Sequence, residues 1–203
     1  MGRLNAFVAD NDLGDCGNIG EKATIATQRE ILELRKSGKS SSRLIGASMR
    51  DGKQVEALAG IDVMTMPLKV AAEFENMGIV PVSQVKHDPK LKCRLGVLNS
   101  LWNVPDEFKE CVKELVEQDI DQFSPESFIR YFHEHGFGDL FPELSARDVK
   151  TIRSDGKIPV YEHWQPKLEN GDIGLDALMN ISALQAFAED QKALDKRIKS
   201  IIF

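Results

Sequence analysis

Two short apolar runs bracket one compact helical pattern between residues 43 and 67, RLIGASMRDGKQVEALAGIDVMTMP, and the rest of the chain is organised around this stretch. Residues 43–48 read as a buried strand that ends in a small polar residue. Residues 61–66 read as a second strand, stopped by Pro67, which has no N–H for a sheet ladder but can open a helix. Between them, residues 54–59 contain helix formers and end at Gly60, a good C-terminal cap. Strand, short helix and strand without a hairpin signal predict a βαβ unit with parallel strands and a right-handed crossover. In such units chemistry gathers where strands end and helices begin, which puts Ser48, Met49, Arg50, Thr65, Met66 and Pro67 on the active rim.

Upstream, residues 4–9 (LNAFVA) form another strand candidate, followed by a polar loop over 10–20 and a helix over 21–36 with Ala23, Ile25, Ile31, Leu32 and Leu34 at helical spacing. Gly38 and the serines after it end that helix. Residues 68–74 read as the next helix, closed by Gly78. The alternation then stops. Residues 79–104 have no clean period and read as a connection with a short helix over 97–102. Helices follow over 105–120, with Pro105 in the first turn, over 124–136, capped by Ser124, and briefly over 145–151. Residues 159–166 read as a loop in which Trp164, beside Tyr161 and His163, is either a small satellite core or a contact site, and core is preferred. A long amphipathic helix spans 175–202, with Leu178, Ile181, Leu184, Ala188, Leu194 and Ile198 as its stripe. Residues 1–80 are therefore expected to be α/β and residues 81–203 mostly α-helical. A sheet of three parallel strands leaves unpaired edges, which aggregate, associate with another chain or lie under the helical tail.

With 42% apolar residues, the 203-residue chain can fill a core. A net charge of -6 and a pI near 5.3 argue against general nucleic-acid or anionic-membrane binding, both of which need a basic face. Lys86, Lys90, Lys92 and Arg94 form a local basic cluster that reads as a solvated loop. Cys16, Cys93 and Cys111 are too few and too scattered for a disulfide framework and form no CxxC pair, so reduced thiols and a cytoplasmic location are expected. No apolar stretch is long enough to span a bilayer, and the first residues do not resemble a signal peptide.

The segments AFVADN and RLIGASMRDGKQVEALAGIDVMTMPLKV resemble the last three βα units of the transaldolase and fructose 6-phosphate aldolase family. The matching motifs are Gly46-Ala47-Ser48-Met49-Arg50, Leu58-Ala59-Gly60 and Thr65-Met66-Pro67, within about residues 5–76. The resemblance implies the C-terminal portion, about three βα units, of a TIM (β/α)8 barrel followed by a mainly helical extension. It also implies that Ser48 and Arg50, which fall on the family's seventh-strand motif, bind a sugar phosphate; a hydroxyl, a guanidinium and a helix start suit a phosphate dianion. The family carries a further phosphate-binding arginine in a Gly-Arg or Asn-Arg pair after its sixth strand. Asp10-Asn11-Asp12-Leu13-Gly14-Asp15 is read as that segment here, with acids near the arginine's place. The family's Schiff-base lysine and its acid partner would precede residue 1. No lysine lies in an apolar strand, where desolvation would lower its pKa, and Lys69 falls on the next helix.

The resemblance therefore leads to two readings. In one, the chain belongs to a class I, Schiff-base aldolase or transaldolase of carbohydrate metabolism and supplies the phosphate-binding rim, while a missing upstream segment or a second chain completes the barrel, or the chain forms a homo-oligomer. In the other, it is a non-catalytic protein that binds a sugar phosphate or a partner subunit. No catalytic residue, metal or cofactor is assigned, and neither nucleic acid nor membrane is an expected partner. Asp10, Asp12 and Asp15 lack the glycine and glutamate placement of a calcium loop and read as a solvated turn. His133 and His135, two apart on a helix, point to different sides and read as helix-end residues rather than metal ligands. Cys93 and Cys111 read as inert buried thiols.

Overall fold

The computed structural model describes residues 1–15, 17–93 and 96–202, and divides the chain into two compact units, Met1–Leu95 and Gly96–Phe203. The first unit contains α1 (Gly2–Asp10), α2 (Ile19–Lys36), β1 (Ile45–Gly46), α3 (Gly52–Ala57), β2 (Val63–Met64) and α4 (Leu68–Asn76). The βαβ expectation holds: β1 and β2 pair in parallel, with Ile45 opposite Val63 and Gly46 opposite Met64. The strand expected over 4–9 is instead helix α1, so two strands rather than three are present among the described residues. A six-residue apolar run does not separate the two periods, and burial decides it: Phe7 and Val8 are fully buried, while Asn5 is turned to a partner on α2.

Ile25, Met49, Val55, Leu58, Ile61, Val70 and Val85 form the first unit's apolar core. The opposite face of the two-stranded sheet is bare, with Ile45 58% and Val63 37% exposed. The connection after α4 turns back over the unit. Gly60 (φ 95) has no room for a side chain against Ser83, and the Ala59 carbonyl accepts the Gln84 N–H at 2.7 Å. Arg29 on α2 donates to the carbonyls of Val85 and His87, and Lys22 pairs with Asp88 at 2.7 Å.

The second unit contains α5 (Asp106–Val116), α6 (Pro125–Glu134), α7 (Ala146–Asp155), α8 (Tyr161–Asn170) and α9 (Leu175–Ile202), with a 3₁₀ turn over Gly96–Leu101 where the short helix was expected. Pro105 stands just before α5, which stops at Val116, short of the expected Ile120. Ser124 caps α6 by accepting the Ser127 N–H. Ser145 and Asp148 form a capping box on α7, which runs one turn beyond the expected end. The residues expected to form a loop at 159–166 lie mostly in α8, which accommodates Pro166 inside it. Trp164 is buried there, its indole N–H donating to Asp155 at 2.9 Å.

Phe108, Phe123, Phe128, Tyr131, Phe132, Phe137 and Phe141 pack as one aromatic cluster around Cys111 and Leu115. The stripe expected along α9 is buried only near its start: Leu178 is buried, but Leu184, Leu194 and Ile198 are exposed. No helix among the described residues is long and apolar enough to cross a membrane.

Candidate functional site

The rim loop leaves β1 at Gly46 and enters α3 six residues later. Met49 is buried in the core while Ser48 and Arg50 on either side are exposed, so one apolar anchor turns both expected phosphate residues outward. Ser48 has a φ of 64°, the left-handed region that a serine seldom occupies and that carries strain of order 1 kcal/mol. One amide at the start of α3 and the amide of Arg50 before it are already partnered. Asp51 accepts the Gln54 N–H at 2.9 Å, and the Gln54 side-chain oxygen takes the Arg50 N–H at 2.8 Å.

The start of α1 lies against the same loop. A carbon added to Gly2 would be 3.3 Å from the Ser48 carbonyl oxygen and 3.4 and 3.6 Å from Nε and Nη2 of Arg50, so only glycine allows this approach comfortably. Arg3, next in the chain, is half-buried. The charge of Arg3 reaches the Met1 amino group, whose pKa is lowered by burial first and by Arg3 second, with Glu21 opposing. Gly2 and Arg3 form a Gly-Arg pair at the start of α1.

Beneath the rim is a polar link with no local sequence signal. Glu21, 3% exposed, accepts Asn5 Nδ2 at 3.1 and 3.3 Å and Gln54 Nε2 at 2.8 Å. Asn5 Oδ1 in turn accepts the Gly20 N–H at 2.8 Å. Through Gln54 the buried carboxylate therefore fixes the amide of Arg50, joining α1, α2 and the rim loop. At the other end of the strands, Asp62 accepts the Leu44 N–H and Gln28 Nε2, each at 3.0 Å, and pairs with Arg35 at 2.8 Å. These bonds, the Leu44 amide first, hold its carboxyl down to a pKa of about 2.

The remaining candidates have structural partners. Asp10 and Asp12 lie at the far end of α1 from Gly2. Asp15 accepts the Gly17 N–H at 2.9 Å and pairs with Lys92 at 3.2 Å, and both lower its pKa, the Gly17 bond most. His133 Nε2 and His135 Nδ1 each donate to a backbone carbonyl, of Phe141 and Tyr131 respectively, both at 2.7 Å. Among the described residues no group of three or more His, Cys, Asp or Glu is placed to hold a metal ion. Cys93 and Cys111 are buried free thiols; Cys16 and Arg94 lie outside the described residues. Neither described strand carries a lysine, and Lys69 is exposed on α4.

In the second unit, a cleft of about 510 Å³ is lined by His133, Asp139, Glu143, Lys167 and Asp172 among others, but Lys167 already pairs with Asp148 at 2.7 Å.

A profile described as Transaldolase/Fructose-6-phosphate aldolase matches residues 1–128, which takes in the whole first unit and the start of the second. No curated protein matches the chain. No solved structure does either. The profile spans well over half of the sequence, so the chain belongs to the transaldolase/fructose-6-phosphate aldolase family, a family of TIM barrels tied to sugar-phosphate metabolism.

Proposed function

We propose that the first unit is the phosphate-binding rim of a class I aldolase or transaldolase barrel, with Ser48, Arg50 and Arg3 as the groups that hold the phosphate of a ketose phosphate. The observation that carries this reading is the approach of Gly2 to the Ser48 carbonyl and the Arg50 guanidinium, which sets the backbone beside Arg3 against the strand end that carries Ser48 and Arg50. Two guanidiniums match the charge of a phosphate dianion and present planar pairs of donors to it, and the Ser48 hydroxyl adds a third direction. The link from Glu21 through Gln54 holds the Arg50 backbone in place before any ligand arrives.

The aldol chemistry needs a lysine amine in a desolvated strand, where it condenses with the ketose carbonyl to a Schiff base. On this reading that lysine comes from barrel strands outside the present sequence. The bare sheet face at Ile45 and Val63 supports it, because parallel strands are normally covered on both faces. The absence of a lysine on β1 and β2 equally favours the second reading, a non-catalytic sugar-phosphate-binding relative.

Calorimetric titration with fructose 6-phosphate, and with fructose as the control, tests the grip. Arg50→Ala and Arg3→Ala should each weaken the phosphorylated sugar about tenfold or more, in line with the roughly 1.5–3 kcal/mol of a charged hydrogen bond, and leave fructose unaffected. Unchanged affinity in both variants rejects the site. Borohydride trapping with fructose 6-phosphate separates the two readings: a covalent adduct on a protein that includes this chain excludes the non-catalytic one.

A further inference from the structure

We infer that the distal half of α9 is a dimerisation helix that pairs antiparallel with α9 of a second copy of this chain. From residue 187 to 202 every position of the helix is exposed, over roughly 24 Å of length. That stretch is not polar all round. Leu184, Phe187, Leu194, Ile198 and Ile201 are 66%, 62%, 52%, 44% and 75% exposed, and with Gln191 they recur at spacings of three and four. This is the a and d pattern of a coiled-coil seam with Gln191 as its one polar position, a device that fixes register. The seam is also not a continuation of the buried stripe. Leu175, Leu178 and Ser182 face the second unit's core, and Leu184 lies two residues beyond Ser182, about 200° further round the helix. The helix has one face for its own unit and another that is uncovered.

The charges beside the seam select the occupant and its direction. With Leu184 at an a position, the g positions are Asp190 and Arg197 and the intervening e position is Asp195. In a parallel pair, Asp190 would face Asp195 of the second copy on both sides of the two-fold axis, which is repulsive. In an antiparallel pair centred between residues 192 and 193, Leu184 packs on Ile201 of the second copy, Phe187 on Ile198 and Gln191 on Leu194. The same register sets Asp190 against Arg197 of the second copy, twice by symmetry, and brings Asp195 toward its own counterpart once, so two attractions outweigh one repulsion where the parallel pair has two repulsions. Hydrophobic layers and charge pairs agree on one register, and the sequence is complementary to itself.

Sedimentation equilibrium of the full chain tests the pairing. The chain should dimerise at micromolar concentration. Leu194→Asp and Ile198→Asp should each yield monomer while circular dichroism retains the signal of the other helices. Asp190→Arg should weaken the dimer about three- to tenfold, and Asp190→Arg combined with Arg197→Asp should restore it, as expected for two exposed ion pairs. A monomer at one hundred micromolar overturns the inference, as does any association that Leu194→Asp leaves intact. Tightening by Asp190→Arg identifies a parallel pair and overturns the direction assigned here.

Discussion

The first unit is tied together by polar side chains that reach across long stretches of sequence, whereas the second packs aromatic rings and caps its own helices. Glu21 joins residues 16 and 33 positions away, and Gln28 joins Asp62 across 34. In the second unit, Ser124, Ser145 and Asp148 cap within their own turns, and what joins α5 to α6 is ring packing, as of Phe108 on Phe132. The difference follows from the sheet. A two-stranded sheet with one bare face has little apolar surface to bury on that side, so directional bonds at both strand ends hold its geometry. The second unit has a filled interior of its own.

The sharpest way to break this comparison is Trp164→Ala. Trp164 is 1% exposed and its indole N–H serves Asp155, which also bonds His163 and the Val160 amide. Removing it should cost about 3–5 kcal/mol. Urea unfolding followed by the fluorescence of Trp102 and by hydrogen exchange checks it, with the loss of protection concentrated in α7, α8 and α9. An equal loss of protection in α1 and α2 would mean that the aromatic unit also sets the stability of the polar one.

The same contrast explains what the sequence revealed. The parallel βαβ unit and both ends of α9 were legible because each rests on local signals: Pro67, Gly60 and an uninterrupted helical pattern. Helix α1 was misread because the run at 4–9 is too short to show a period, and α8 because Pro166 lies inside it. Ser48 and Arg50 stand out in the sequence by their motif alone, but the links that position Arg50 run through Glu21 and Gln54, distant residues with no pattern of their own. The approach of Gly2 to Arg50, 48 positions apart, is likewise a product of folding.

Acid sharpens the comparison next. The Asp62 carboxyl falls from 3.8 to about 2, with the Leu44 amide the largest cause, so the folded chain binds its proton less readily than the unfolded chain. Its stabilisation is complete above 3.8 and is lost as pH falls through that value toward 2. Asp62→Asn should remove this part of the first unit's acid sensitivity, read as hydrogen-exchange protection of the Leu44 amide between pH 5 and 2. Asp139 in the second unit behaves oppositely. Burial, then the nearby charge of Asp176, raises its pKa, so its contribution is fullest at low pH and is lost as pH rises through the folded value. Asp139→Asn should therefore stabilise the second unit at neutral pH, and no gain in unfolding midpoint would show that this burial carries no penalty.

The smallest effect separates strain from function at Ser48. Its φ of 64° disfavours any side chain, and Ser48→Gly relieves that while Ser48→Ala keeps it. Glycine also loosens the unfolded chain, which offsets part of the gain, so the glycine variant should be more stable than the alanine variant by only about 0.5–1 kcal/mol. Both variants lack the hydroxyl, and both should bind fructose 6-phosphate more weakly than the wild type. If glycine gains stability and keeps full affinity, the left-handed turn serves only to carry the chain from β1 into α3. If it gains stability and loses affinity, the strain holds a hydroxyl at the place where a phosphate is bound, and the polar unit accepts that strain for its ligand.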